Sequence, residues 1–200
     1  MRGGMASIAL LALAGCAGLS AKDAQRYFVL DAAPAKAAPV MARSAATLLI
    51  APTSASAFYD TQEIVFSRVS GQRAYYQLSS WTEPPARTFD RLLVARLEAS
   101  GAFATVVQTT SGVRGSLLLK AHLVEMFHDA THDPGQVRIW IATELSDPVM
   151  RRLVVKQNFV VAAPTPSTDA VGAVQAFDVA VTALLDEVTA WTIEHANAAR

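Results

Sequence analysis

Three stretches in the second half of the chain decide the fold: Leu117–Val124 reads LLLKAHLV, Val137–Leu145 reads VRIWIATEL, and Leu153–Val161 reads LVVKQNFVV. In the first, Leu117, Leu119, Ala121 and Leu123 alternate with Leu118, Lys120, His122 and Val124. In the second, Val137, Ile139, Ile141, Thr143 and Leu145 alternate with Arg138, Trp140, Ala142 and Glu144. The third keeps the pattern less strictly through Leu153, Val155, Gln157, Phe159 and Val161. A period of two sends successive side chains to opposite faces of a strand. Three long strands with one strongly apolar face therefore predict an antiparallel meander. Asp133-Pro134-Gly135 and Ser146-Asp147-Pro148 supply its turns.

Past the meander the period changes. Beyond Ala163-Pro164-Thr165-Pro166, either Ser167 or Thr168 can cap a long helix. Its apolar residues Val174, Phe177, Val181, Leu184, Val188 and Trp191 step by three and four, a stripe that reads as core packing. On the other side of the meander a helix begins near Thr82 as N-cap, with Pro84 and Pro85 tolerated in its first turn. Phe89, Leu92, Leu93, Arg96 and Leu97 mark one of its faces, and Gly101 ends it. Phe103–Val107 returns as a short strand. Earlier still, Arg26–Leu30, Thr47–Ile50, Ile64–Arg68 and Ala74–Leu78 read as strands, with a turn at Ser70-Gly71-Gln72-Arg73. The Ala- and Pro-rich Asp31–Ala46 reads as a mobile connection. The expected class is α/β: a mixed, largely antiparallel sheet with helices packed on its faces as a three-layer sandwich.

The N-terminus carries a different signal. Met1–Gly15 (MRGGMASIALLALAG) has one basic residue, a short apolar run and a small-residue exit, the layout of a secretory signal. The run is shorter than the ~20 residues needed to span a bilayer. Leu13-Ala14-Gly15-Cys16 resembles the bacterial lipobox and accounts for the one cysteine of the chain. Residues 1–15 are thus read as a lipoprotein signal peptide, 16–25 as a lipidated tether beginning at Cys16, and 26–200 as one periplasmic domain. Ala17, standing where an inner-membrane retention Asp would be, implies sorting to the outer membrane.

Composition narrows function further. With 17 basic and 17 acidic residues in 200, there is no broad basic field for nucleic acid. One cysteine gives neither a disulfide framework nor a multi-thiolate zinc site. His128 and His132 could chelate a metal if Glu125–Asp133 were helical, but between two strands this stretch reads as a solvated hairpin loop. No nucleophile elbow, metalloprotease helix, P-loop or dinucleotide fingerprint is present. No catalytic residue, metal or cofactor is expected. The stretch Phe58–Arg91 is dense in aromatic and arginine side chains, which favour protein interfaces. Phe66, Tyr75 and Trp81 suit a core. Phe58 and Tyr59, in a polar loop, and the solvated Arg68 and Arg73 are the candidate partner-binding residues.

One run of motifs carries a resemblance. The lipobox is followed by Tyr27-Phe28-Val29-Leu30, Leu49-Ile50-Ala51-Pro52, Phe58-Tyr59-Asp60, Ile64-Val65-Phe66-Ser67-Arg68, Tyr75-Tyr76-Gln77-Leu78 and Trp81-Thr82-Glu83-Pro84. A helix ending Leu97-Glu98-Ala99-Ser100-Gly101-Ala102-Phe103 closes it. This order resembles the ABC-type transport auxiliary lipoproteins, the PqiC-like family. The resemblance implies a non-catalytic, acylated (palmitate-bearing) domain at the outer membrane that docks an MCE-domain protein and an ABC permease and ATPase in phospholipid transport. A homo-oligomer is compatible with it. The alternatives are an adaptor of another envelope assembly machine and a lipid-anchored hydrolase.

Overall fold

The computed structural model describes residues 24–35 and 44–198. The signal segment 1–15, Cys16 and most of the tether lie outside the described residues, as do 36–43 of the Ala/Pro-rich connection. The strands are β1 (Arg26–Phe28), β2 (Ser44–Ile50), β3 (Ser54–Ala55), β4 (Glu63–Ser67), β5 (Ala74–Trp81), β6 (Phe103–Gln108), β7 (Leu117–Asp129), β8 (Gln136–Asp147) and β9 (Arg152–Pro164). The helices are α1 (Pro85–Ala99), between β5 and β6, and α2 (Ala170–Ala198), after β9.

The expected meander is β7-β8-β9, antiparallel throughout. At ~3.3 Å per residue β7 is about 43 Å long. Its second edge is therefore shared by three short parallel strands in succession: β2 at Leu117–Leu119, β3 at His122–Leu123 and β4 at His128–Asp129. From this edge the sheet forks, with β6 joining β2, and β5 joining β4 with β1 outside it. Among the described residues the result is a mixed sheet of nine strands.

Inward residues follow the alternation read from sequence: Val137, Ile139, Ile141, Thr143 and Leu145 are all buried. In β7 the register shifts between Leu123 and Glu125. Such a bulge breaks the period of two, so Leu123 and Met126 both face inward, opposite Ile141 and Ile139. Beyond it, His128 points into the interior while Glu125 and Phe127 take the other face. The stretch expected as a hairpin loop is thus strand as far as Asp129, and His128 is fully buried.

Both helices pack against the sheet, α1 on β6 and α2 on β8 and β9, and they contact each other. Sharing one face, they make two layers where three were expected. The opposite face of the meander carries Lys120, Glu144 and Lys156, which form ion pairs there rather than a floor for a third layer. The α2 stripe is core, as its spacing indicates: Phe177, Val181, Leu184 and Val188 are at most 2% exposed. Ala173, Ala176 and Ala180, also buried, let the helix approach the sheet closely. Trp81 is likewise core, edge-on to Phe177.

The helix starts differ from the sequence reading. Pro84 is extended and Pro85 opens α1 with no side-chain cap. The Thr82 N–H bonds instead to the Phe28 carbonyl, tying β1 to the end of β5. In α2 the cap is Asp169, whose Oδ1 accepts from the Gly172 N–H at 2.9 Å and from Ser167 Oγ at 2.8 Å. Gly101 ends α1 as expected, with φ of 62°.

Candidate functional site

The aromatic and arginine residues singled out above divide between the two faces of the β4–β5–β7 region. Val65 pairs with Tyr75, while Phe66 pairs with Ala74 and His128. Directly paired residues share a face. The face turned away from the helices therefore carries Val65 and Tyr75, with Phe127 from β7. The helix side carries Phe66, Tyr76 and His128.

The chain leaving β3 stays on the same edge of β7, the Ser56 N–H bonding to the Leu123 carbonyl. His122 holds it, with Ser54 Oγ at Nδ1 (2.8 Å) and Ser56 Oγ at Nε2 (3.2 Å). The loop that follows sets Phe58 against Tyr75 and Tyr59 against Arg73. Tyr59 is buried, and Arg73 Nε donates to its hydroxyl at 3.2 Å. The Arg73 guanidinium lies 3.6 Å from the centroid of the buried Phe127 ring. It also forms an ion pair with Glu125 at 3.6 Å, which Arg138 approaches at 3.9 Å. Arg73 is thus the lid of a small second core, not the free surface charge expected.

Phe58 lies outermost. Its ring stacks on Tyr75 with centroids 4.9 Å apart and planes 14° apart, and the Tyr75 hydroxyl donates to the Phe58 carbonyl. The two are 40% and 38% exposed. Tyr75 is therefore a surface residue rather than the core residue its sequence context suggested. The two stacked rings, with Phe58 also edge-on to Tyr59 and Tyr59 held by Arg73, form a half-exposed aromatic platform.

Arg68 stands apart. It lies over Phe66, 5.1 Å from the ring centroid, on the opposite face. Beneath it is a closed polar pair. Tyr76 Oη is 2.8 Å from His128 Nδ1, and His128 Nε2 is 3.2 Å from the Pro134 carbonyl. A carbonyl only accepts, so Nε2 carries the proton and Tyr76 donates to Nδ1. Thr165 also donates to the Pro134 carbonyl, closing the group. Burial lowers the His128 pKa and pushes Tyr76 up to about 12, so both are held neutral. Gly135 makes this closeness possible. Its φ is 88°, and a Cβ there would stand 2.3 Å from the Asp129 carbonyl.

Both nitrogens of His122 face serine hydroxyls, and among the described residues the ring donates no hydrogen bond to a carboxylate. The helical spacing of His128 and His132 required for chelation is replaced by strand and loop. Among the described residues no group of three or more His, Cys, Asp or Glu side chains is placed to hold a metal.

Residues 28–189 match the model of a family described as the ABC-type transport auxiliary lipoprotein component. No curated protein is matched by sequence. Among solved structures, a Xanthomonas campestris protein of the DUF330 family is 22% identical and superposes with a TM-score of 0.79, over 86% of this chain and 97% of its own. An uncharacterised protein, 16% identical, gives 0.65 over 84% and 99%. A hypothetical protein of Chlamydia trachomatis, 9% identical, gives 0.55 over 78% and 99%. These likenesses establish the fold.

Proposed function

The chain belongs to the ABC-type transport auxiliary lipoprotein family, and from that premise we propose that it is a non-catalytic docking component of an MCE-type phospholipid transport system, anchored to the outer membrane through acylated Cys16 with its domain in the periplasm. The observation that carries the reading is the family match across nearly the whole domain, residues 28–189. The lipobox-like Leu13-Ala14-Gly15-Cys16 supports the anchor, and Ala17 supports the outer membrane. The Phe58–Tyr75 platform is the proposed contact with the MCE protein. Tyr59 and Arg73 act by holding it in place. Arg68, on the other face, lies outside this contact.

The test is co-purification from detergent-solubilised membranes. Recovery of an MCE-domain protein together with an ABC permease and ATPase is expected. Recovery of outer-membrane assembly components alone would assign the chain to a different machine. Cys16→Ala is expected to abolish outer-membrane fractionation, and normal processing with unchanged fractionation would remove the anchor.

A further inference from the structure

We propose that the β1 edge of the sheet lies against the lipid surface that holds the acylated Cys16, an inference that rests on the anchored reading above. The first argument is reach. Cys16 and Ala24, the first described residue, are separated by eight Cα–Cα steps, which span at most about 28 Å even fully extended. The chain then enters the fold directly through β1. Whatever bilayer holds the acyl chains is therefore close to this edge.

The second argument is what the edge presents. Among the described residues β1 pairs only with β5, so its outer side is open. Tyr27 is 66% exposed, Val29, just after the strand, is 60% exposed, and Leu78 on β5 is 42% exposed. Arg26, exposed on the other face of β1 over the Phe28 ring, adds a cation at the same edge that suits phosphate headgroups. A tyrosine with an apolar body and a polar tip sits well at the boundary between headgroups and acyl chains. So few side chains could not hold a free protein on a membrane. On a chain already tethered within ~28 Å, the same contact is intramolecular and needs only to orient the domain.

The third argument is the opposite margin. From β1 through β5, β4, β7 and β8 to β9 there are five interstrand spacings, about 24 Å at ~4.8 Å each. With β1 on the lipid, β9 and the β8–β9 turn carrying Val149 and Met150 point away from it. That turn, 72% and 73% exposed at these residues, serves as the internal control.

The test uses the acylated full chain in vesicles of phosphatidylethanolamine and phosphatidylglycerol. Acylation blocks the thiol of Cys16, so Tyr27→Cys, Val29→Cys and Val149→Cys each offer one site for an environment-sensitive thiol dye. A blue shift and several-fold stronger quenching by bromolipid at 27 and 29 than at 149 are expected. Acylated protein that floats with the vesicles while all three dyes stay in water overturns the proposal and leaves the anchor standing. Protein lacking acyl mass at residue 16 that fails to float overturns both. Protection at 27 and 29 that arises only when a partner protein is added assigns the edge to protein and overturns the lipid contact.

Discussion

Tyr75 and Tyr76 are neighbours in β5, as Phe127 and His128 are in β7, yet the members of each pair face opposite ways with opposite consequences. On the helix side, Tyr76 and His128 spend their polar atoms on each other and on the Pro134 carbonyl, deep in the fold. On the other side, Phe127 and Tyr59 are buried beneath one arginine, and Tyr75 with Phe58 stays half in water. The first arrangement is satisfied internally and asks nothing of a partner. The second leaves apolar ring surface exposed on a rigid base. Local sequence does not distinguish Tyr75 from Tyr76; the side of the sheet does.

Phe127→Ala should break the comparison most severely. It removes a fully enclosed ring from beneath Arg73, and a Phe→Ala truncation of that kind costs about 3–5 kcal/mol. Urea unfolding should show a lower midpoint with an unchanged slope. A loss below ~1 kcal/mol would mean that the second core carries no stability of its own.

Arg73→Glu comes next, at roughly 2–3 kcal/mol. It deletes the cation over Phe127 and sets a carboxylate beside Glu125. Arg73→Met keeps most of the side-chain volume over the ring and should lose less. Equal losses in the two variants would assign the cost to the missing guanidinium alone, with no added repulsion from a carboxylate beside Glu125.

How far the sequence reached follows from the same residues. The α2 stripe and the β8 alternation were legible because one period runs unbroken through each. The register shift after Leu123 was not, because Val124-Glu125-Met126 carries no mark of the missed step, and the rest of β7 to Asp129 was read as part of a hairpin loop. Of the three short strands along β7, β2 and β4 were legible in Thr47–Ile50 and Ile64–Arg68, but β3 and the shared pairing to β7 were not, since parallel pairing between distant segments leaves no local pattern. Of the candidate site, Phe58 was legible as an exposed aromatic in a polar loop. The half-buried place of Arg73 was not, because an arginine reads as solvated until the ring beneath it is known.

Tyr76→Phe tests the closed side. It leaves His128 Nδ1 buried without a donor and should cost about 1–2 kcal/mol. The pair also sets a pH window. The folded-state pKa of His128 lies below the ordinary 6.5, so the unfolded chain binds the proton more readily. Its stabilisation is present above pH 6.5 and is lost as pH falls through the folded value. Tyr76, raised from 10.0 to about 12, stabilises fully below pH 10 and loses this as pH rises through 12. His128→Gln should flatten the acid limb of stability against pH and leave the alkaline limb in place. An acid limb unchanged in that variant would assign it to other groups.

Phe58→Ala should have the smallest effect on folding and the most specific effect on binding. Its ring is 40% exposed and touches Tyr75 only from outside, so the loss in stability should stay within about 1 kcal/mol. If the platform docks a partner, the same truncation removes a rigid aromatic at an interface centre, where losses of about 2 kcal/mol or more are usual. That is roughly thirtyfold in affinity for the co-purified partner. Tyr75→Ala should behave alike, because each ring holds the other flat. Arg68→Glu, on the helix side, should leave affinity nearly unchanged while altering charge by the same amount as Arg73→Glu. Full affinity in both aromatic variants, with a loss in Arg68→Glu, would move the docking surface to the face that the comparison assigns to folding.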